Sequence, residues 1–191
     1  EKAGLSVNDI LENKSRLDKQ SINIAVLGSV GKSTLVRILS ALLHSGDQIS
    51  YVTKVNDNWL PQLPFAVELA LRSRANTCVF ECGVASKGDA KLMAAVVPAN
   101  IVIYTEFAEV NLAELCSLDG VTEEKFQFAS QHPGAKVFSH IANRSQLQKR
   151  GLFCHFYGKE GSEATVTYKI ERMTESSTTI GISDRKNFKV R

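Results

Sequence analysis

Ile22-Asn23-Ile24-Ala25-Val26-Leu27-Gly28-Ser29-Val30-Gly31-Lys32-Ser33-Thr34 is the stretch on which the fold turns. Its opening residues form a nearly continuous apolar run, broken only by Asn23, as a strand buried on both faces would. Gly28 and Gly31 punctuate a turn. From Thr34 the apolar residues recur at helical spacing, with Leu35, Leu39 and Leu42 on one stripe and Val36 and Leu43 beside it. A lysine and two hydroxyls stand at the mouth of that helix. This is the layout of a phosphate cradle. Backbone N–H groups and the positive helix end face an anion, Lys32 adds a full charge, and Ser33 can ligate Mg²⁺. Gly28, Ser29, Val30, Gly31, Lys32, Ser33 and Thr34 are therefore the candidate nucleotide-binding residues. The competing reading is an ordinary strand-to-helix turn with a chance Gly-Lys-Ser. The usual phosphate-loop spacing would put a first glycine at position 26, where this chain has Val26, so the loop is shorter than the common form.

A chain of 191 residues can bury one full core and a small appendage. Its 43% hydrophobic and 23% charged residues are ordinary for a globular protein. A net charge of +3, without clustering, gives no argument for nucleic acid or an anionic membrane surface. The longest apolar runs have strand length, so no membrane span is expected. The start, Glu1-Lys2-Ala3-Gly4, lacks a signal-peptide core and an initiating methionine, and reads as an excised piece or a processed form. Cys78, Cys82, Cys116 and Cys154 make neither zinc spacing nor a disulfide scaffold. They read as reduced small hydrophobes of a cytoplasmic protein.

Along the chain, residues 1–20 are polar, with a short helix expected near 6–11 and a linker over 13–20. Further strands are expected near 49–52, 77–81, 100–104, 136–138 and 152–156, and helices from 65 onward and over 87–95, 123–130 and 143–149. Strand and helix thus alternate from residue 22 to about 156. The tail differs, with strand patterns at 165–171, 176–182 and 188–190. The expected fold is α/β, a mostly parallel P-loop-type sheet with helices on both faces and a C-terminal antiparallel β ribbon.

Ligands collect at the carboxyl ends of such strands. The run Thr77-Cys78-Val79-Phe80 ends on Glu81, followed by Cys82-Gly83, which suits a Mg²⁺ ligand beside the phosphates. The alternative is a glutamate that only caps the next turn. The long segment 53–64, with Asn56, Asp57, Asn58 and Trp59, is either a functional loop or a plain surface excursion.

These motifs, in this order, resemble the central ATP-binding domain of the Mur ligases. That family consists of ATP-dependent amide-forming enzymes of peptidoglycan precursor synthesis, related to folylpolyglutamate and cyanophycin synthetases. The short Gly28-Ser29-Val30-Gly31-Lys32-Ser33-Thr34 is similar to the family's G-[TS]-x-G-K-[TS]-[TS], and Phe80-Glu81-Cys82-Gly83 to its apolar-E-M-G. The stretch from Pro98 to Thr105 resembles its P-x-x-A-V-I-T strand. The stretch from Thr105 to Val121 resembles T-N-I-G-x-A-H-L-E-x-F-G-S-x-E-G-V, as in the branch that adds D-alanyl-D-alanine to a UDP-muramoyl tripeptide.

The resemblance implies ATP and Mg²⁺ as cofactors and small-molecule carboxylate and amine substrates, UDP-muramoyl peptide among them. Lys32 and Lys125 would be catalytic, with Lys125 on the family lysine that is often carbamoylated. The other reading of Lys125 is an exposed lysine at a helix start. Ser33, Glu81, Asn111 and Lys125 would serve the metal ions, and Asn56 and Asn58 the substrate. Asn111 stands where the family has a metal-binding histidine, Glu106 where it has asparagine, and Ser139 at its adenine-side asparagine. Asn56-Asp57-Asn58-Trp59-Leu60-Pro61 replaces N-N-E-x-G-x-P.

The implied division is residues 1–20 as a linker or remnant of a preceding domain and 21–191 as the central domain. The C-terminal ligase domain is expected to be absent, with the flanking domains of the parent chain as partners. Such a chain is expected to bind nucleotide weakly and turn over poorly by itself. The alternative is a non-catalytic nucleotide-binding scaffold or partner-binding domain of the same fold. A P-loop kinase or GTPase is disfavoured, because the sequence has neither N-K-x-D nor a switch-like D-x-x-G.

Overall fold

The run from Ile22 to Leu27 is a strand, and from Asn23 onward all of it is buried. The computed structural model describes residues 4–44, 49–54, 57–174 and 178–184. In chain order the elements are α1 (Val7–Gln20), β1 (Ile22–Leu27), α2 (Lys32–His44), β2 (Ser50–Val52), α3 (Leu63–Ser73), β3 (Thr77–Glu81), α4 (Asp89–Val96) and β4 (Ile101–Tyr104). Then follow α5 (Leu112–Leu115), α6 (Leu118–Ser130), β5 (Lys136–His140), α7 (Arg144–Gln148), β6 (His155–Lys159), β7 (Val166–Met173) and β8 (Thr178–Asp184).

The strands form one sheet in the order β2-β3-β1-β4-β5-β6-β7-β8. Every neighbouring pair is parallel except β7 and β8. The expected ribbon is therefore the sheet's own edge, joined through the parallel pair β6–β7. β1 lies between β3 and β4, so the chain reverses its direction of travel across the sheet at β1. Such a reversal opens a crevice at the strands' carboxyl ends.

Alternate residues of β1 feed two cores. Ala25 and Leu27 join Phe80, Val102 and Tyr104 under helices that contribute Leu63, Val67, Met93, Phe128 and Leu147. Ile24 and Val26 join Val79 on the opposite face, against Val36 of α2. Leu35, Leu39 and Leu43 flank Val36 there. The expected stripe member Leu42 is 64% exposed, because it lies about 120° round the helix from the buried Val36.

Several expected boundaries move. Residues 13–20 are helix, not linker. α1 is capped by Ser6, whose hydroxyl accepts the Asp9 N–H while the Asp9 carboxylate accepts the Ser6 N–H. Leu17 is its one buried residue, with Ile10 partly buried, too thin an apolar face to read from the sequence. α6 begins at Leu118, capped by Ser117, well before the expected residue 123. Gly120 disguised that turn. It is required there because a Cβ would strike the Leu115 carbonyl. The strand expected over 152–156 lies at His155–Lys159, and Phe153 is exposed. The expected strand at 188–190 lies outside the described residues.

Candidate active site

The loop from Gly28 to Gly31 joins β1 to α2, and both glycines have positive φ, 136° and 84°. At Gly28 the requirement is also steric, because a Cβ would run into the Thr105 hydroxyl. α2 starts at Lys32, and its first helical bond runs from the Leu35 N–H to the Gly31 carbonyl. The N–H groups of Lys32, Ser33 and Thr34 are thus the helix's first-turn donors, as an anion site needs. The N–H groups of Ser29 and Val30 are used differently. Both donate to the Glu106 carbonyl, at 3.0 and 3.3 Å, and the Ser29 hydroxyl donates to the Ala108 carbonyl at 3.1 Å. Lys32 Nζ donates to the carbonyls of Gly28 and Ser29. Burial lowers its pKa, against the opposing pull of the Glu81 carboxylate.

Glu81 ends β3 with only 1% of its surface exposed. Its Oε1 accepts from the Ser33 hydroxyl at 2.9 Å and from Asn58 Nδ2 at 2.8 Å. Its backbone N–H donates to the Thr53 hydroxyl at 2.9 Å. Its other carboxylate oxygen, Oε2, is buried and finds no hydrogen-bond partner among the described residues. The helix N-terminus and Lys32 favour the carboxylate's charge, but a buried oxygen without a partner is costly until a metal ion or a donor meets it. Among the described residues no three His, Cys, Asp or Glu side chains gather at a point. One carboxylate and one hydroxyl, completed by phosphate oxygens and water, is how Mg²⁺ binds and not how Zn²⁺ does. The residues present therefore fit Mg²⁺.

A second cluster adjoins the first. Lys125, in the middle of α6, is 1% exposed, so the exposed-lysine reading does not hold. Its Nζ donates to the Val84 carbonyl at 3.4 Å, and Asn111 Nδ2 donates to the same carbonyl at 3.3 Å. Asn111 has φ 55°, a left-handed conformation that asparagine tolerates well. Burial, and then the Lys32 charge, bring the Lys125 pKa down to about 8, with Glu124 pulling the other way. A substantial share of this amine is therefore neutral near pH 8, which an ordinary lysine is not.

Asn58 is drawn to Glu81 by its side chain and to the Gly83 N–H by its carbonyl. Asn56 lies outside the described residues. Ser139 is fully buried and accepts from Asn143 Nδ2, so it is engaged inside the protein. All four cysteines are free, with Cys78, Cys82 and Cys154 buried as expected and Cys116 exposed. Beside the phosphate loop lies an apolar groove of about 510 Å³, lined by Val30, Leu35, Ile38, Ile103, Phe138 and Tyr157 among others.

Thr53, Val84 and Asn143, and the backbone role of Glu106, were missed from the sequence. Val84 and Glu106 act through backbone carbonyls, which leave no trace in residue type. Thr53 and Asn143 are single polar residues at element ends. Thr53 directly follows β2, and Asn143 ends the short turn of residues 141–143 between β5 and α7, places that ordinary turn residues share.

The sequence matches the Mur ligase middle domain family over residues 26–191. The chain belongs to this family. Among curated proteins it is similar to the UDP-N-acetylmuramoyl-tripeptide–D-alanyl-D-alanine ligase of Bacillus subtilis, at 27% identity over 125 residues. That match takes in 65% of this chain and 27% of the relative, so the chain spans about a quarter of the ligase it matches. Among solved structures, MurF ligase from Thermotoga maritima in complex with ADP superposes with a TM-score of 0.76 at 22% identity, covering 94% of this chain and 42% of that one. MurF from Acinetobacter baumannii gives 0.75 at 18%, covering 92% and 41%. A folylpolyglutamate synthase complex with AMPPCP and folate gives 0.63 at 12%, covering 94% and 54%. At these identities the superpositions establish that the Mur ligase middle domain fold is present. Among the described residues no helix is long and apolar enough to cross a membrane.

Proposed function

We propose that this Mur ligase middle domain is the ATP-binding part of an amide ligase in cell-wall precursor synthesis. A substrate carboxylate takes the γ-phosphoryl group of ATP, and an amine displaces phosphate from the resulting acyl phosphate. The unpartnered Oε2 of Glu81, buried against Ser33 at the phosphate-loop mouth, is the observation that carries this reading. Ser33 and Glu81 would hold one Mg²⁺, with Asn111 and a carbamoylated Lys125 serving a second. The ions would supply charge neutralisation for the transferring phosphoryl group.

The chain's own residues supply positioning. The first-turn amides of α2 and Lys32 bind the phosphates. The apolar groove beside Val30 and Leu35 takes the flat base of the nucleotide. Its volume falls in the range of ordinary small-molecule sites. The lowered pKa of Lys125 supports carbamoylation, since only a neutral amine attacks CO₂. Asn58, near Glu81, would meet the carboxylate substrate together with Asn56. By relationship, a UDP-muramoyl peptide is the carboxylate substrate and D-alanyl-D-alanine the amine, and the protein works in the cytoplasm with its flanking domains. The second reading, a nucleotide-binding scaffold without turnover, is favoured by the neutral Asn111.

The test uses the full-length parent protein with Mg·ATP and UDP-muramoyl tripeptide, with hydroxylamine replacing the amine. A hydroxamate of the tripeptide is the expected product. ATP binding without any hydroxamate would leave the scaffold reading.

A further inference from the structure

We infer that Asn143 is a positioning residue for the nucleotide phosphates, acting on the phosphate loop through the backbone of residues 105–108. This deepens the ATP-binding reading above and rests on it.

Asn143 is 2% exposed and uses its whole amide. Its Oδ1 accepts the Phe107 N–H at 2.9 Å, and its Nδ2 donates to the Thr105 carbonyl at 2.8 Å and to the Ser139 hydroxyl at 3.1 Å. The two backbone groups it grips flank Glu106. The Glu106 carbonyl receives the N–H groups of Ser29 and Val30, and the next carbonyl but one, that of Ala108, receives the Ser29 hydroxyl. Thr105 closes the circuit. Its N–H and hydroxyl donate to the Leu27 carbonyl, and its side chain fills the space a Cβ on Gly28 would need. The first half of the phosphate loop is therefore shaped by residues 105–108, and that segment is shaped by Asn143.

A loop that must present the amides of Lys32, Ser33 and Thr34 to phosphate without reorganising needs its first half fixed in this way. Aspartate, though isosteric, would set a carboxylate oxygen against the Thr105 carbonyl. Alanine would leave the Phe107 N–H and the Thr105 carbonyl buried without their partner, a loss that bears on the loop and not on the sheet.

The test is Mg·ATP affinity, measured by calorimetry on the full chain, for the natural sequence, Asn143→Ala, Asn143→Asp and Val67→Ala. Val67, buried in α3 away from the loop, controls for lost stability. The expected result is about tenfold weaker binding in both Asn143 variants, with Val67→Ala close to the natural sequence at a similar fall in Tm. Either Asn143 variant suffices if the other does not fold. Unchanged affinity in a folded Asn143 variant, or an equal loss in Val67→Ala, overturns the assignment. If the natural sequence binds no ATP, the nucleotide reading fails and the phosphate role of Asn143 fails with it. Amide exchange then still judges the brace itself. Ser29 and Val30 should exchange faster in Asn143→Asp than in Val67→Ala, and equal rates would show that no brace exists.

Discussion

Lys125 is a lysine held where its charge is penalised. Its pKa in the fold, about 8, lies below the ordinary 10.5, so the unfolded chain holds the proton more tightly. The penalty is therefore complete below pH 8 and fades as pH rises from about 8 towards 10.5. In CO₂-free buffer, Lys125→Met should be more stable than the natural sequence at pH 7, by roughly 3 kcal/mol at most. That advantage should shrink through the same pH window. Denaturant melts at pH 7 and pH 10 measure it, and a difference independent of pH would contradict the burial argument. Gly28 makes a simpler prediction. Gly28→Ala puts a Cβ against the Thr105 hydroxyl at φ 136°, and should cost about 2–4 kcal/mol in the same melts. A loss under about 0.5 kcal/mol would mean that the loop and residue 105 are not in contact.

At the scale of elements, α1 is the clearest departure from what the residues suggested. It is held by Leu17, 1% exposed, and by the Ser6–Asp9 cap. Leu17→Ala should destabilise the domain by about 2–4 kcal/mol. A linker would show no effect. The central strands were legible because burial on both faces forces continuous apolar runs, as in Ala25-Val26-Leu27 and Cys78-Val79-Phe80. α1 and the start of α6 were not legible, since a helix resting on one or two apolar residues has no periodicity to detect. The phosphate loop and Glu81 were legible because their chemistry needs particular side chains at fixed positions. The loop's backing was not, because Glu106 and Ala108 serve it through carbonyls that any residue carries.

At the scale of the molecule, the sheet's reversal at β1 gathers the ends of β1, β3 and β4. Lys32, Ser33, Glu81 and, one step further, Asn111 and Lys125 meet there. The central claim is that this meeting point binds nucleotide through a metal ion at Glu81. The direct measurement is a calorimetric titration of the chain with ATP, with Mg²⁺ and with EDTA, for the natural sequence and for Glu81→Gln. Mg²⁺ should tighten binding to the natural sequence by about tenfold or more and make little difference to Glu81→Gln, whose neutral amide no longer calls for a cation. ATP binding that is indifferent to Mg²⁺ in the natural sequence, or equally Mg²⁺-dependent in Glu81→Gln, would contradict it.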